Sequence, residues 1–80
     1  MKPSEIRVLQ ARLKLNQHNF ALLLGVSQST VSRWIRGLKN PDDWQLSWLE
    51  KLAANKDLER RKVGTLLVRY GPAHVLSSIL

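Results

Sequence analysis

The stretch that most limits what this chain can fold into is Leu24-Gly25-Val26-Ser27, a turn set between two short apolar-periodic segments. Ahead of it, Phe20, Ala21 and Leu24 fall at i, i+1 and i+4, on one face of a helix. After it, Val31, Trp34 and Ile35 repeat that pattern. Gly25 has no Cβ to clash in the left-handed conformation that ends a helix. Ser27 is placed to cap the next helix by accepting a hydrogen bond from a free N–H near Ser29 or Thr30. Ala21 is small where a crossing helix needs close approach. Residues 17–37 are therefore organised as two short helices joined by a tight turn.

The interval from Ala21 to Gly25 to Val31 is that of a helix-turn-helix. The second helix is divided by chemistry. At about 100° per residue, Gln28, Ser29, Ser32, Arg33 and Arg36 fall within an arc of roughly 140°. Val31, Trp34 and Ile35 take the other side. One side packs, and the other offers amide, hydroxyl and guanidinium groups. Such groups hydrogen-bond base edges or phosphates in a major groove wide enough to admit a helix. An ordinary amphipathic hairpin would merely solvate its polar face. Here that face carries two arginines and no acid, which favours an anionic partner.

The charge distribution agrees. The net charge is +7, and residues 1–41 account for +6 of it, with Glu5 their one acid. The basic half is the half that holds the motif, as expected for a polyanion-binding surface. A membrane surface is the rival partner, but the basic face lacks the bulky apolar residues that an interfacial helix inserts. No run of eighteen apolar residues is present, so no membrane span is expected. The first ten residues lack the apolar stretch of a signal peptide. With no cysteine there is no disulfide or thiolate metal site, and a cytoplasmic location in a prokaryotic or phage-encoded context is expected.

Eighty residues leave room for one modest core, which 44% apolar residues and three tryptophans can fill. The expected fold is all-α, a compact bundle of five to six short helices. Ser4 opens the first helix as cap, and Ile6, Leu9 and Leu13 form its buried stripe. Asn16 caps the helix that carries Gln17 and Phe20. Free N–H groups and the helix dipole there make a seat for a phosphate, shared by Asn16 and Gln17. The second helix of the motif ends at Gly37, and Pro41 keeps Asn40 out of helix. Lys39 and Asn40 could touch a phosphate from that loop.

Asp42 or Asp43 caps a helix running to about Ala54, with Leu49, Leu52 and Ala53 facing the core. Trp34, Trp44 and Trp48 are read as core or rim rather than as base-stacking residues. Asp57 is expected to cap a fifth helix bearing the stripe Val63, Leu66, Leu67 and Tyr70. Arg60, Arg61 and Lys62 read as a solvated basic face. Gly71-Pro72 stops that helix and starts a last one.

Residues 4–52 resemble the phage-repressor and Cro-like helix-turn-helix family, the xenobiotic-response-element type. The segment LKLNQHNFALLLGVSQSTVSRWIRGLKNP carries the resemblance, followed by a helix ending WLEKLA. Asn16-Gln17, Phe20-Ala21, Leu24 to Ser27, Val31 to Trp34 and Gly37 all fall where the family pattern has them. The resemblance implies a lambda-repressor-like fold and a sequence-specific regulator of transcription bound to double-stranded DNA. It further implies that Gln28, Ser29, Ser32 and Arg33 read bases or adjacent backbone, and that Gln17 meets a phosphate. Thr30 and Arg36 join the phosphate group. The family often has an acid just after the position of Trp34, where this chain has Ile35-Arg36, so this helix end is more basic. The last 25 residues match no family pattern.

Residues 1–55 are thus expected to form the DNA-binding core, and residues 56–80 a helical extension within the same domain. The first four helices look sufficient to close a core by themselves. Val63, Leu66, Leu67, Tyr70, Val75, Leu76 and Ile79, with Leu80, are therefore expected to pair two copies into a homodimer on a palindromic operator, as a repressor; the other course is that the last two helices fold back on their own core. An antitoxin, whose C-terminal segment clasps a toxin, is the alternative. No cofactor or metal is expected. His18 and His74 lie on different segments, and no nucleophile–base–orienter set can be assembled for an enzyme. RNA is disfavoured, since a helix cannot read the narrow A-form major groove.

Overall fold

A computed structural model describes residues 1–79. In chain order the α-helices are α1 (Pro3–Arg12), α2 (Gln17–Leu24), α3 (Gln28–Ile35), α4 (Asp43–Ala54), α5 (Val63–Tyr70) and α6 (Pro72–Ser77), with a 3₁₀ turn at Lys56–Arg60 before α5. The described residues contain no strand. The all-α fold and its six short helices are as the sequence pattern predicts.

The helix ends follow from local chemistry. Asn16 Oδ1 accepts the Asn19 amide at 2.7 Å, and Ser27 Oγ accepts the Thr30 amide at 3.2 Å. Gly25 (φ 70°) and Gly37 (φ 74°) take the left-handed conformation that a side chain would resist. At each, the residue after the glycine donates back to the helix: Val26 to the Ala21 carbonyl at 3.0 Å, Leu38 to the Arg33 carbonyl at 2.9 Å. At the start of α1 the expected cap is displaced. The helix begins one residue before Ser4, with Pro3 in its first turn, and Glu5 Oε1 accepts the Lys2 amide at 2.8 Å. Proline's fixed φ and missing N–H suit that first position.

α2 is the hub. It packs on α3 across the turn and on α5 and α6 as well. Phe20, Ala21, Leu23 and Leu24 are all buried, an arc of roughly 160° on the helix. One neighbour covers a narrower stripe, and the two C-terminal helices cover the rest. Leu58, Val63, Leu67 and Val75 belong to the same core as Ile6, Leu9, Phe20 and Trp34. The expectation that four helices close their own core is thereby corrected. The radius of gyration, 11.4 Å, matches the value of about 12 Å for a compact chain of this length, so the extension folds back.

The start of α5 is a second correction. Asp57 is not the cap; Asn55 Oδ1 accepts the Asp57 amide at 3.2 Å and opens the 3₁₀ turn instead. α5 starts afresh at Val63, after Lys62 in left-handed backbone (φ 41°). Leu58 and Val63 are both fully buried. On one continuous helix they would point about 140° apart. The break at Lys62 lets both reach the core.

Candidate nucleic-acid interface

α3 has eight residues and so is about 12 Å long, close to the width of a major groove. Its two sides are as different as the sequence requires. Val31 and Trp34 are 0% exposed, locking the helix onto α1 and α2. Gln28, Ser29, Arg33 and Arg36 are exposed, and Ser32 is half-buried at the edge of their face. Ile35 is only half-buried, because its angular position puts it beside Gln28 rather than opposite. Among the described residues the one ion pair is Arg12 with Glu59, which leaves Arg33 and Arg36 uncompensated.

The start of α3 is tied down by hydroxyls. Ser27 Oγ lies 3.0 Å from Ser29 Oγ and 2.9 Å from Thr30 Oγ1, so both side chains share the cap. Each hydroxyl keeps further hydrogen-bonding capacity. The cap takes the Thr30 amide and leaves the first two amides, of Gln28 and Ser29, without intrahelical acceptors. At α2, Asn16 likewise takes the Asn19 amide, and the amides of Gln17 and His18 remain. Both helix starts therefore present N–H groups to an anion. Asn16 is exposed and Gln17 half-buried. Lys39 and Asn40 are exposed in the loop after α3.

Two neighbours of this surface carried no sequence signal. A Cβ on Gly37 would lie 3.7 Å from Pro3 Cγ, so the start of α1, with exposed Lys2, sits beside the end of α3. Leu38 is 65% exposed although the residue after such a helix-ending glycine usually packs back on its helix. Neither pairing has a sequence spacing to reveal it. Trp44 is 57% exposed, at the rim rather than in the core, while Trp34 is fully buried and Trp48 half-buried.

The residues expected to pair two copies divide. Val63, Leu67 and Val75 are consumed by the chain's own core, which corrects their assignment to an interface. Leu66, Leu76 and Ile79 pack against that core and are half-buried. Tyr70 is 55% exposed, and Val68, absent from the expected set and on a different side of α5, is 74% exposed. Leu80 lies outside the described residues.

A short polar helix set by a left-handed glycine turn on a packed partner helix defines a helix-turn-helix protein. Residues 6–43 match the family model described as helix-turn-helix, which supports the phage-repressor, Cro-like family for that segment. No curated protein and no solved structure matches the chain. The match supports a DNA-binding regulator of transcription. No helix among the described residues is long and apolar enough to cross a membrane.

Proposed function

We propose that the protein is a transcriptional repressor that acts as a homodimer on an operator of two-fold symmetry. The observation that carries the reading is the division of α3: Val31 and Trp34 fully buried, with Gln28, Arg33 and Arg36 exposed and without acidic partners. In this reading Gln28, Ser29, Ser32 and Arg33 meet base edges. Arg36, Thr30, Lys39 and Asn40 hold the backbone around them, and Asn16 and Gln17 hold a phosphate at the start of α2. Arginine pairs bidentately with guanine and glutamine with adenine, each pair discriminating by about 1–3 kcal/mol.

Pairing is supported by reach. A helix about 12 Å long spans only a few base pairs, and two-fold dimers extend the site by reading half-sites about 34 Å apart. Val68 and Tyr70, on different sides of α5, are exposed apolar side chains open to a second copy. Footprinting on duplex DNA upstream of the protein's own gene tests both parts. Two protected patches one helical turn apart are expected. A single patch removes the dimer, and no protection at any sequence removes operator binding. A chain that stays monomeric while capturing a co-encoded toxin through α5 and α6 would favour the antitoxin alternative.

A further inference from the structure

The basic run after α4 is not spread evenly into solvent. Arg60 and Lys62 line a cleft of about 470 Å³ whose opposite wall is Leu13 and Lys14 at the end of α1. Thr65 and the side-chain-free Gly64 complete it at the start of α5. Three cations therefore converge from segments nearly fifty residues apart in sequence. The acid in the cleft, Glu59, has its carboxylate engaged by Arg12. The cationic excess is left without a protein partner there.

Lys14 and Lys62 have a further feature in common. Among the described residues they are the two non-glycine residues in left-handed backbone, at φ 57° and φ 41°. Glycine is the ordinary occupant of such positions, and strained backbone concentrates where a side chain has a task. Both strained positions hold a lysine, and both line this cleft. The cleft also adjoins the phosphate seat on α2. Lys14 precedes Asn16 by two residues, so their Cα atoms are at most about 7 Å apart. Phosphates follow one another along a strand at about 3.4 Å of helix axis.

We infer that Lys14, Arg60 and Lys62 form a second, sequence-independent contact with the DNA backbone, continuing the phosphate track from the start of α2 onto the C-terminal extension. Such a track presupposes that α3 meets DNA. It enlarges the footprint along one strand without adding base readout. The C-terminal extension thereby contributes to binding as well as to the core.

The test is a salt titration of the full-length protein, from about 50 to 200 mM, on a fluorescent duplex of arbitrary sequence. Each neutralised phosphate contributes about −0.9 to the slope of log K against log salt. Arg60→Ser with Lys62→Gly should make the slope shallower by about 1.8, and the glycine suits φ 41° at position 62. Lys14→Gly on the opposite wall should independently remove about 0.9. Arg61→Ser with Arg69→Ser removes the same charge outside the cleft and should leave the slope close to the parent's. An unchanged slope in the cleft variants, or an equal change in the outside pair, overturns the track. If the parent binds with a steep slope in that case, DNA binding through α3 stands. A parent slope of zero instead removes DNA binding itself, and the track with it.

Discussion

Arg12 and Glu59, separated by 47 residues, are joined by a hydrogen-bonded ion pair from guanidinium Nε to carboxylate Oε1. The same guanidinium donates to the Ala53 carbonyl at 3.4 Å from each of its terminal nitrogens. One side chain at the end of α1 thus holds the last turn of α4 and the 3₁₀ turn that follows. This tie lies where the C-terminal segment turns back toward α2, whose apolar face holds it.

The first prediction is a pH dependence. The hydrogen bond from Arg12 holds the Glu59 carboxyl below its ordinary value of 4.5, against desolvation, which raises it, and with the neighbouring positive charges of Arg12, Lys56 and Arg60 adding to the lowering. A carboxyl whose folded pKa is lowered contributes stability above its unfolded pKa and loses it as the pH falls through the folded value. The pair is partly exposed, so its contribution is small. Thermal melts from neutral to strongly acidic pH should show Glu59→Gln below the parent at pH 7, with the two curves converging in acid. Parallel curves throughout would remove the pair from the stability balance.

Base reading is expected to reside on α3. Gln28→Ala or Arg33→Ala should cost on the order of 1–3 kcal/mol on the preferred site and much less on unrelated DNA. Lys39→Ala should weaken every sequence alike. Competition binding with specific and arbitrary duplexes measures the ratio. An unchanged ratio in both α3 variants would mean that another element lies in the groove.

Trp34 is fully buried, and its indole N–H has no acceptor among the described residues. Trp34→Ala should therefore cost roughly 3–5 kcal/mol, enough to unfold much of a domain this small. Trp34→Phe keeps most of the apolar volume and removes the unsatisfied donor, whose burial alone costs about 1–3 kcal/mol. Denaturant unfolding should place it far closer to the parent. A phenylalanine variant as unstable as the alanine variant would show that the indole nitrogen has a role of its own.

The C-terminal helices give a prediction about folding and pairing together. A chain cut after Asn55 loses Leu58, Val63, Leu67 and Val75 from the core and uncovers part of α2. Its circular dichroism should show a loosely folded chain with no cooperative melt. Val68→Asp with Tyr70→Asp alters only exposed positions, so the fold should survive while sedimentation shows a monomer. A cooperative melt from the cut chain would restore the view that four helices suffice. A doubly substituted protein that still sediments as a dimer would move the pairing surface off α5.

The sequence by itself determined the helix-turn-helix, because its causes are local. A glycine needed at φ 70°, an asparagine and a serine whose side chains reach an amide three residues on, and apolar spacing along α3 are properties of a few consecutive residues. They suffice for the motif, its helix limits and the exposed polar face of α3. One long-range signal was also present: α2 is apolar over five consecutive residues, Phe20 to Leu24, more than a single neighbouring helix can cover. Only the tertiary structure decided what covers it. Whether Val63, Leu67 and Val75 face a second copy or their own chain depends on a break at Lys62 and on the apolar face of α2 that they cover. The same return path sets Arg60 and Lys62 opposite Lys14. No periodicity encodes such pairings, because they arise from closing a loop of nearly fifty residues, and a stripe at helical spacing is identical whichever core it enters.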